Sequence, residues 1–135
     1  MARISKSKNP VDLFVKTATA IIAKNGVNAL NARVLAKEAG YSLGAFYTYF
    51  DDINNLLLQI NGNSLQEMHE AIVRASAKTK GYKQILLAAE AYFDFASQNP
   101  NLWQCVMSFD GAASPEIEKN YKAKVDALFS LVKNL

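Results

Sequence analysis

The sequence predicts an all-α protein, in which a three-helix head carrying a helix-turn-helix is followed by a helical body. Three observations predict this class. Apolar residues recur three and four positions apart in successive segments, as on one face of an amphipathic helix. Asparagine, serine or aspartate precedes several of these segments, where an N-cap is needed. The three prolines and six glycines mostly mark boundaries between segments.

The first helix is predicted to begin at Asn9-Pro10 and to end at Asn25-Gly26. Asparagine is a good cap, proline fits the first helical position, and Asp12 suits the first turn. The buried stripe of this helix is expected to contain Phe14, Ala18, Ile21 and Ile22. The helix is expected to pack across the next two helices, whose apolar faces would otherwise lie open.

The next two helices are predicted within residues 31–50. Asn31 is expected to cap a helix that ends at Ala39, and Gly40 to turn left-handed after it. Ser42 is expected to cap a second helix, Leu43 to Tyr49. Two helices joined in this way predict a helix-turn-helix, whose second helix enters the major groove of DNA. Small residues at such spacing also occur in ordinary helical hairpins, so a purely structural interpretation remains open.

The second of these helices bears no acidic residue and carries many aromatic ones. Phe46, Tyr49 and Phe50 are expected to point inward. Tyr47 is expected to point outward, where its hydroxyl can reach a phosphate oxygen. Gly44, Ala45 and Thr48 are small and allow close approach to a groove.

Charge is distributed unevenly along the chain, whose net charge is +3. Residues 1–50 contain seven basic and two acidic side chains, whereas residues 51–135 contain eight basic and ten acidic ones. The basic excess therefore coincides with the helix-turn-helix, as expected for a polyanionic partner. The basic stretch at residues 1–8, MARISKSK, is predicted to be a flexible arm.

The stretch AxxxGYSLGAFYTYFDDINNLLL resembles the N-terminal signature of the TetR family of bacterial transcriptional regulators, over about residues 10–60. The matching features are the Ala, the Gly, the Ser-x-Gly turn, the Tyr-x-Tyr-Phe aromatics and the Leu-Leu of the next helix. The resemblance implies that Tyr47 contacts a phosphate and that Asn31 and Arg33 contact the DNA backbone. It also implies base-facing positions on the second helix at Leu43, Ala45 and Thr48. Ser42 and Gly44 complete the predicted DNA-binding residues, Ser42 first as a cap and then as a phosphate ligand, and Gly44 because it allows close approach.

One departure from that family concerns phosphate binding. Relatives usually carry a lysine shortly after the phenylalanine, but Ile53 stands there in this chain, within DDINN. A phosphate contact is thereby removed, and Asp51 and Asp52 add negative charge. Weaker DNA binding, or compensation by other lysines, is therefore expected.

A fourth helix is predicted from about Ile53, after an aspartate cap, with an apolar face at Leu56, Leu57, Ile60, Leu65, Met68, Ile72 and Val73. Asn61-Gly62-Asn63 is poor helix sequence, and Ser64 with Glu67 has the spacing of a capping box. One long helix with a weak point and two helices with a break are both compatible with the pattern. The family resemblance favours one helix.

Three more helices are predicted beyond Lys80-Gly81. The fifth should bury a stripe at Tyr82, Ile85, Leu86, Ala89, Tyr92, Phe93 and Ala96. Asn99-Pro100 should separate it from a short apolar helix containing Leu102, Trp103, Val106, Met107 and Phe109. A seventh helix should start at Ser114-Pro115, with a seam at Ile117, Tyr121, Val125, Leu128, Val132 and Leu135.

The stretch AYFDFASQNPNLWQCVMSF resembles the ligand-binding part of one TetR subgroup. An effector pocket is therefore expected to be lined by Met68, Ile72, Tyr92, Phe93, Trp103 and Met107. Such an aromatic and aliphatic lining suits a small apolar effector, whereas ordinary core packing is the alternative for each residue. Relatives usually continue into further helices that form a dimer interface, so the chain is expected to be truncated or unusually short.

The sequence does not favour an enzyme. His69 is the only histidine, Cys105 has no base in sequence reach, and neither a metal-ligand spacing nor a phosphate loop is present. Cys105 is expected to be buried and inert. A lone cysteine, with no signal peptide and no apolar run of membrane-spanning length, predicts a soluble cytoplasmic protein.

The prediction is therefore a DNA-binding domain over residues 1–52 and a helical regulatory domain over residues 53–135, without cofactor, metal or membrane. As a homodimer it would bind a palindromic double-stranded DNA operator and be released by the effector, most simply as a repressor. The alternative is a helical interaction module of the same fold without operator binding. Salt-dependent binding to one operator would discriminate between them.

Overall fold

The protein is all-α over residues 9–134, which are the residues that the computed structural model describes. The helices of that part are α1 Pro10–Asn25, a 3-10 turn Val27–Ala29, α2 Ala32–Ala39, α3 Leu43–Tyr49, α4 Ile53–Ser76, α5 Gly81–Gln98, α6 Pro100–Ser108 and α7 Pro115–Lys133. None of them is both long and apolar enough to cross a membrane. The predicted arm at residues 1–8, and Leu135 of the predicted seam, lie outside the described residues.

Side-chain caps begin four of these helices where the sequence predicts them. The Oδ1 atoms of Asn9, Asn31 and Asp52 accept the backbone N–H groups of Val11, Val34 and Asn55, at 3.0, 2.8 and 3.0 Å. Ser42 Oγ accepts the N–H of Ala45 at 3.1 Å. These bonds satisfy amides that a helix leaves unpaired in its first turn.

Helix α4 is continuous from Ile53 to Ser76, and the interpretation of two separate helices is wrong. It is the central helix and packs against α1, α5, α6 and α7. Asn61 is fully buried, and its Nδ2 donates to the carbonyl oxygen of Cys105 at 3.3 Å. A Cβ on Gly62 would lie 3.3 Å from Lys124 Cδ of α7. The poor helix formers thus occupy the positions where α4 lies close to its neighbours.

The predicted buried stripe of α5 is wrong in most of its members. Tyr82, Ile85, Leu86 and Phe93 are exposed, with 76% of the Tyr82 surface and 67% of the Phe93 surface accessible. The helix instead buries Ala88 and Phe95, with Ala91 and Tyr92 partly covered. Periodicity selects the face with the largest apolar residues, whereas the face with alanines permits the closer approach to α4.

Two smaller corrections concern α6 and α7. Helix α6 ends at Ser108, so Phe109 lies beyond it in extended conformation. On α7, the side chains packed against the body core are Leu128 and Leu131, while Val132 of the predicted seam is exposed. Leu131 and Val132 are consecutive residues, so their side chains point about 100° apart around the helix axis.

Two apolar clusters form the core. The first contains Phe14, Ala18, Ile22, Leu35, Ala36, Phe46, Phe50, Leu56, Ile60 and Cys105. The second contains Met68, Ile72, Ala88 and Phe95. The first cluster extends from α1–α3 into α4 and α6, and therefore crosses the predicted domain boundary after residue 52. The head is thus anchored on the start of α4, and the division at that residue stays a prediction.

Candidate nucleic-acid interface

The turn between α2 and α3 is set by one glycine. Gly40 adopts the left-handed conformation, with φ 81° and ψ 27°. Its N–H donates to the carbonyl of Lys37 at 3.1 Å, and the N–H of Tyr41 donates to the carbonyl of Ala36 at 2.8 Å. This bond pattern is a Schellman motif, which ends a helix with little steric cost only when glycine or asparagine occupies this position. It directs the chain straight into the Ser42 cap of α3.

An aromatic cluster holds α3 against the rest of the head. Phe14 of α1 is fully buried, and its ring lies edge-on to Phe46 and Phe50, with centroid distances of 5.6 and 6.1 Å. Phe46 and Phe50 stack on one another at 5.4 Å. Tyr41 also contacts Phe14, at 5.1 Å. Edge-to-face packing of this kind fixes ring orientation as well as burying area, so it sets the rotation of α3 about its own axis.

That rotation decides which α3 residues face solvent. Gly44, Tyr47 and Thr48 are exposed, while Leu43 and Ala45 are partly covered. Gly44 and Thr48 lie one turn apart on the outward line of the helix. The outward position of Tyr47 is confirmed, with 52% of its surface accessible. The inward position of Tyr49 is wrong in part, because the residue is 43% exposed although its ring lies 6.2 Å from that of Phe14.

Hydrogen bonds within the head limit what two of these side chains can offer a partner. Ser42 Oγ accepts the amide of Ala45, so Ser42 is first of all the cap of α3. Thr48 Oγ1 donates its proton to the carbonyl oxygen of Gly44 at 3.1 Å. The γ-methyl group and the oxygen lone pairs of Thr48 remain for a partner.

Gly44 has no steric reason to be a glycine in the described structure. Its φ is not positive. A Cβ built on it would meet no atom closer than Ser42 Oγ, at 3.9 Å. Glycine within a helix is less favourable than alanine by about 1 kcal/mol. Packing within the described structure therefore does not account for the glycine at this position.

Several basic side chains of the head are exposed. Asn31 and Arg33 lie at the exposed start of α2, and Asn31 Oδ1 is bound to the Val34 amide. Lys16, Lys24 and Lys37 are exposed elsewhere on the head. Ile53, which stands where relatives have lysine, is packed against the head core, and Asp52 caps α4. The departures in DDINN are thus accounted for by the anchoring of α4.

Three asparagines join α6 and the loop after it to the rest of the protein. Asn101 Nδ2 donates to the carbonyl of Ala23 in α1 at 2.9 Å. Asn61 of α4 bonds the Cys105 carbonyl, and Asn55 Oδ1 accepts the N–H of Ser114 at 2.8 Å. No sequence signal predicts these bonds, because asparagine in a helix is more often solvent-exposed.

Cys105 is buried, as predicted. Burial raises the pKa of the Cys105 thiol, and a hydrogen bond with Asn61 partly offsets that rise. Burial also raises the pKa of Tyr121, and the nearby thiol acts in the same direction. Within residues 9–134, no cluster of three or more His, Cys, Asp or Glu side chains is placed to hold a metal ion.

Of the six residues predicted to line an effector pocket, four lie together in the body core and two are exposed. Met68 and Ile72 are packed in the body core, and the rings of Tyr92 and Trp103 meet edge-on at 5.6 Å. Phe93 and Met107 are exposed, with 67% and 68% of their surfaces accessible.

Two open grooves lie elsewhere in the body. One, of about 430 Å³, separates α4 from α7 and is lined by Leu58, Gln59, Gly62, Asn63, Glu116, Ile117, Asn120, Tyr121 and Lys124. The other, of about 440 Å³, lies between α4 and α5 and is lined by Glu67, Glu70, Ala71, Arg74, Ala91, Asp94, Phe95, Gln98 and Asn99. Neither contains any of the six predicted residues, and both linings are rich in polar groups.

Comparison with known proteins finds similarity in the head and in the overall fold. Residues 14–60 match the model of a family described as bacterial regulatory proteins, tetR family. A curated relative, the HTH-type transcriptional regulator YobS of Bacillus subtilis, is 22% identical over 95 residues, which are 70% of this chain and 50% of YobS. The chain thus spans half the length of that relative.

Solved structures share the fold. A protein of unknown function from Rhodococcus sp. RHA1 superposes with a TM-score of 0.71 at 22% identity, covering 93% of this chain and 66% of the other. A TetR family transcription regulator from Marinobacter aquaeolei VT8 gives 0.64 at 20% identity, covering 93% and 67%. The TetR family regulator PfmR from Thermus thermophilus gives 0.70 at 19% identity, covering 96% and 68%.

Proposed function

We propose that the chain, whose residues 14–60 match the model of the tetR family of bacterial regulatory proteins, is a regulator of that family, which binds an operator in double-stranded DNA and regulates transcription. The observation that carries the proposal is the geometry of α3. An aromatic cluster on its inner side fixes its rotation, and its exposed side includes the small, uncharged Gly44 and Thr48, on a head that also exposes basic side chains. The role is one of binding, without a catalytic step.

In this proposal α3 enters the major groove. Gly44, Ala45 and Thr48, together with the partly covered Leu43, face the base edges. Tyr47 and Ser42 contact phosphate oxygens beside the groove, while Asn31 and Arg33 contact the backbone from the start of α2. Two copies of the protein would read a palindrome whose half-sites lie about 34–36 Å apart, one turn of the duplex.

Regulation completes the proposal. A small molecule bound in the helical body would release the operator, which makes the protein a repressor. The groove between α4 and α7 is the better candidate for this site, because α4 continues without a break from that groove to the head core. Its lining of Gln59, Asn63 and Lys124 calls for an effector with polar groups, instead of the wholly apolar one that the sequence predicts.

Selection of DNA from a random duplex library at moderate salt tests the proposal. One enriched motif with two related half-sites is the expected result. The logarithm of its affinity should fall linearly with the logarithm of salt, with a slope of about −0.9 for each phosphate contact. Arg33→Ala should weaken all sequences about equally and reduce that slope by about 1. A folded protein that enriches no sequence would favour the alternative of a helical interaction module.

A further inference from the structure

The outer face of α3 lacks every side chain that reads a purine through two hydrogen bonds. Arginine and lysine pair in this way with guanine, and asparagine and glutamine with adenine. Helix α3 consists of LGAFYTY and contains none of the four. Its exposed residues are Gly44, Tyr47, Thr48 and Tyr49, beside the partly covered Ala45. Base recognition by this helix must therefore use groups of another kind.

Methyl groups are what this face presents. The hydroxyl proton of Thr48 is used within the helix, on the carbonyl oxygen of Gly44. Thr48 lies one turn beyond Gly44 on the outward line, and Ala45, three residues before Thr48, lies beside that line. Gly44 itself has no side chain. A Cβ atom at Gly44 would have no neighbouring atom closer than Ser42 Oγ, at 3.9 Å. A base edge can therefore approach the helix backbone there.

The thymine 5-methyl is the one apolar group that the four standard base pairs display in the major groove. We propose that α3 recognises its half-site through thymine 5-methyl groups, which contact Thr48 and Ala45 and so select A·T pairs at those positions. This inference rests on the proposed function, since it specifies what the same helix reads. Gly44 allows the approach, and Tyr47 remains at the phosphates.

The test replaces single thymines by deoxyuridine in the operator obtained by selection, with the full chain as the protein. Deoxyuridine lacks only the methyl group and keeps the hydrogen-bonding pattern of the pair. Burial of one methyl is worth about a four-fold change in affinity. We therefore expect one or two positions in each half-site to lose about that factor, as measured by fluorescence anisotropy at fixed salt. The same replacement outside the half-sites is the control.

Two variants assign the effect to a side chain. Thr48→Ser keeps the hydroxyl and removes the methyl, so it should abolish the difference between thymine and deoxyuridine at one position. Thr48→Val keeps methyl groups and removes the hydroxyl, so it should retain that difference. The helical circular dichroism of each variant confirms that α3 and the head remain folded.

The outcomes separate the inference from the function on which it rests. If an operator is bound but every deoxyuridine replacement leaves affinity unchanged, the methyl inference is overturned and the regulator stands. If the difference persists in Thr48→Ser and disappears in Thr48→Val, the hydroxyl is the reader and the inference is overturned as well. If no duplex is bound by the folded protein, the proposed function fails and the inference with it.

Discussion

Replacing Gly44 by alanine is expected to stabilise the protein and weaken its binding to DNA. The helix gains because alanine is favoured over glycine by about 0.5–1 kcal/mol within a helix. Nothing in the described structure opposes the new methyl group, since the nearest atom is Ser42 Oγ at 3.9 Å. For a chain of this size, that free energy raises Tm by about 2–4 °C.

The same methyl group should obstruct the groove. It would project from the outward line of α3, where we place the closest approach to a base edge. Overpacking a tight interface by one methyl costs about 1–3 kcal/mol, so we expect affinity for the operator to fall about ten-fold. Thermal unfolding followed by circular dichroism measures the first effect, and anisotropy titration at constant salt measures the second.

Gly62→Ala is the matched control. It makes the same change inside α4, where the new methyl would meet only the flexible side chain of Lys124, at 3.3 Å. Its affinity for the operator should equal that of the wild type. If Gly44→Ala unfolds at a higher temperature and binds the operator as tightly as before, Gly44 is not the point of closest approach. If it unfolds at a lower temperature, the packing around α3 has been misjudged.

Three further predictions concern stability. Phe14→Ala should lower the free energy of unfolding, measured by urea titration, by about 3–5 kcal/mol, because it empties the centre of the aromatic cluster. Phe93→Ala, on the exposed face of α5, should change that free energy by less than about 0.5 kcal/mol. Equal losses in the two variants would contradict the burial pattern. Asn31→Ala should cost about 1 kcal/mol by loss of the 2.8 Å cap of α2, and an unchanged urea midpoint would refute that cap. Burial raises the pKa of the Cys105 thiol above its ordinary value of 9.0, so the thiol loses its proton at lower pH in the unfolded chain than in the folded one. The free energy of unfolding should therefore fall as the pH rises above 9.0, and it should fall less in Cys105→Ala. Parallel curves of stability against pH for the two proteins would exclude a contribution from this thiol.

The head could be predicted in detail because its determinants are local. The bounds of α2 and α3 follow from Asn31, Gly40 and Ser42, each of which acts on amides or carbonyls within four residues of itself. The exposure of Tyr47 could also be predicted from the sequence. A helix of seven residues that buries Phe46 and Phe50 on one side must turn Tyr47 toward solvent. The central position of Phe14 in the aromatic cluster could not be predicted, because the rings that it contacts lie about 30 residues away in the sequence.

The body could be predicted only in outline. Helix α5 has apolar residues on more than one face, and periodicity selected the stripe that lies in solvent. The expected effector residues have the composition of a pocket, but Met68 and Ile72 are packed against Ala88 and Phe95. Whether an apolar side chain lines a cavity or fills it depends on how closely two helices approach, which the sequence of either helix does not contain.

By itself, the sequence determined the all-α class, the bounds of the first three helices and the basic character of the head, because caps, turns and charge act over a few residues. Only the tertiary structure decided the rotation of each helix about its axis. That rotation buries Asn61 and Gly62 against α6 and α7 and leaves the stripe of α5 exposed. It also leaves Gly44 and Thr48 outermost on α3. Packing between distant segments sets these rotations, and the face that packs most closely is preferred over the face that is most apolar.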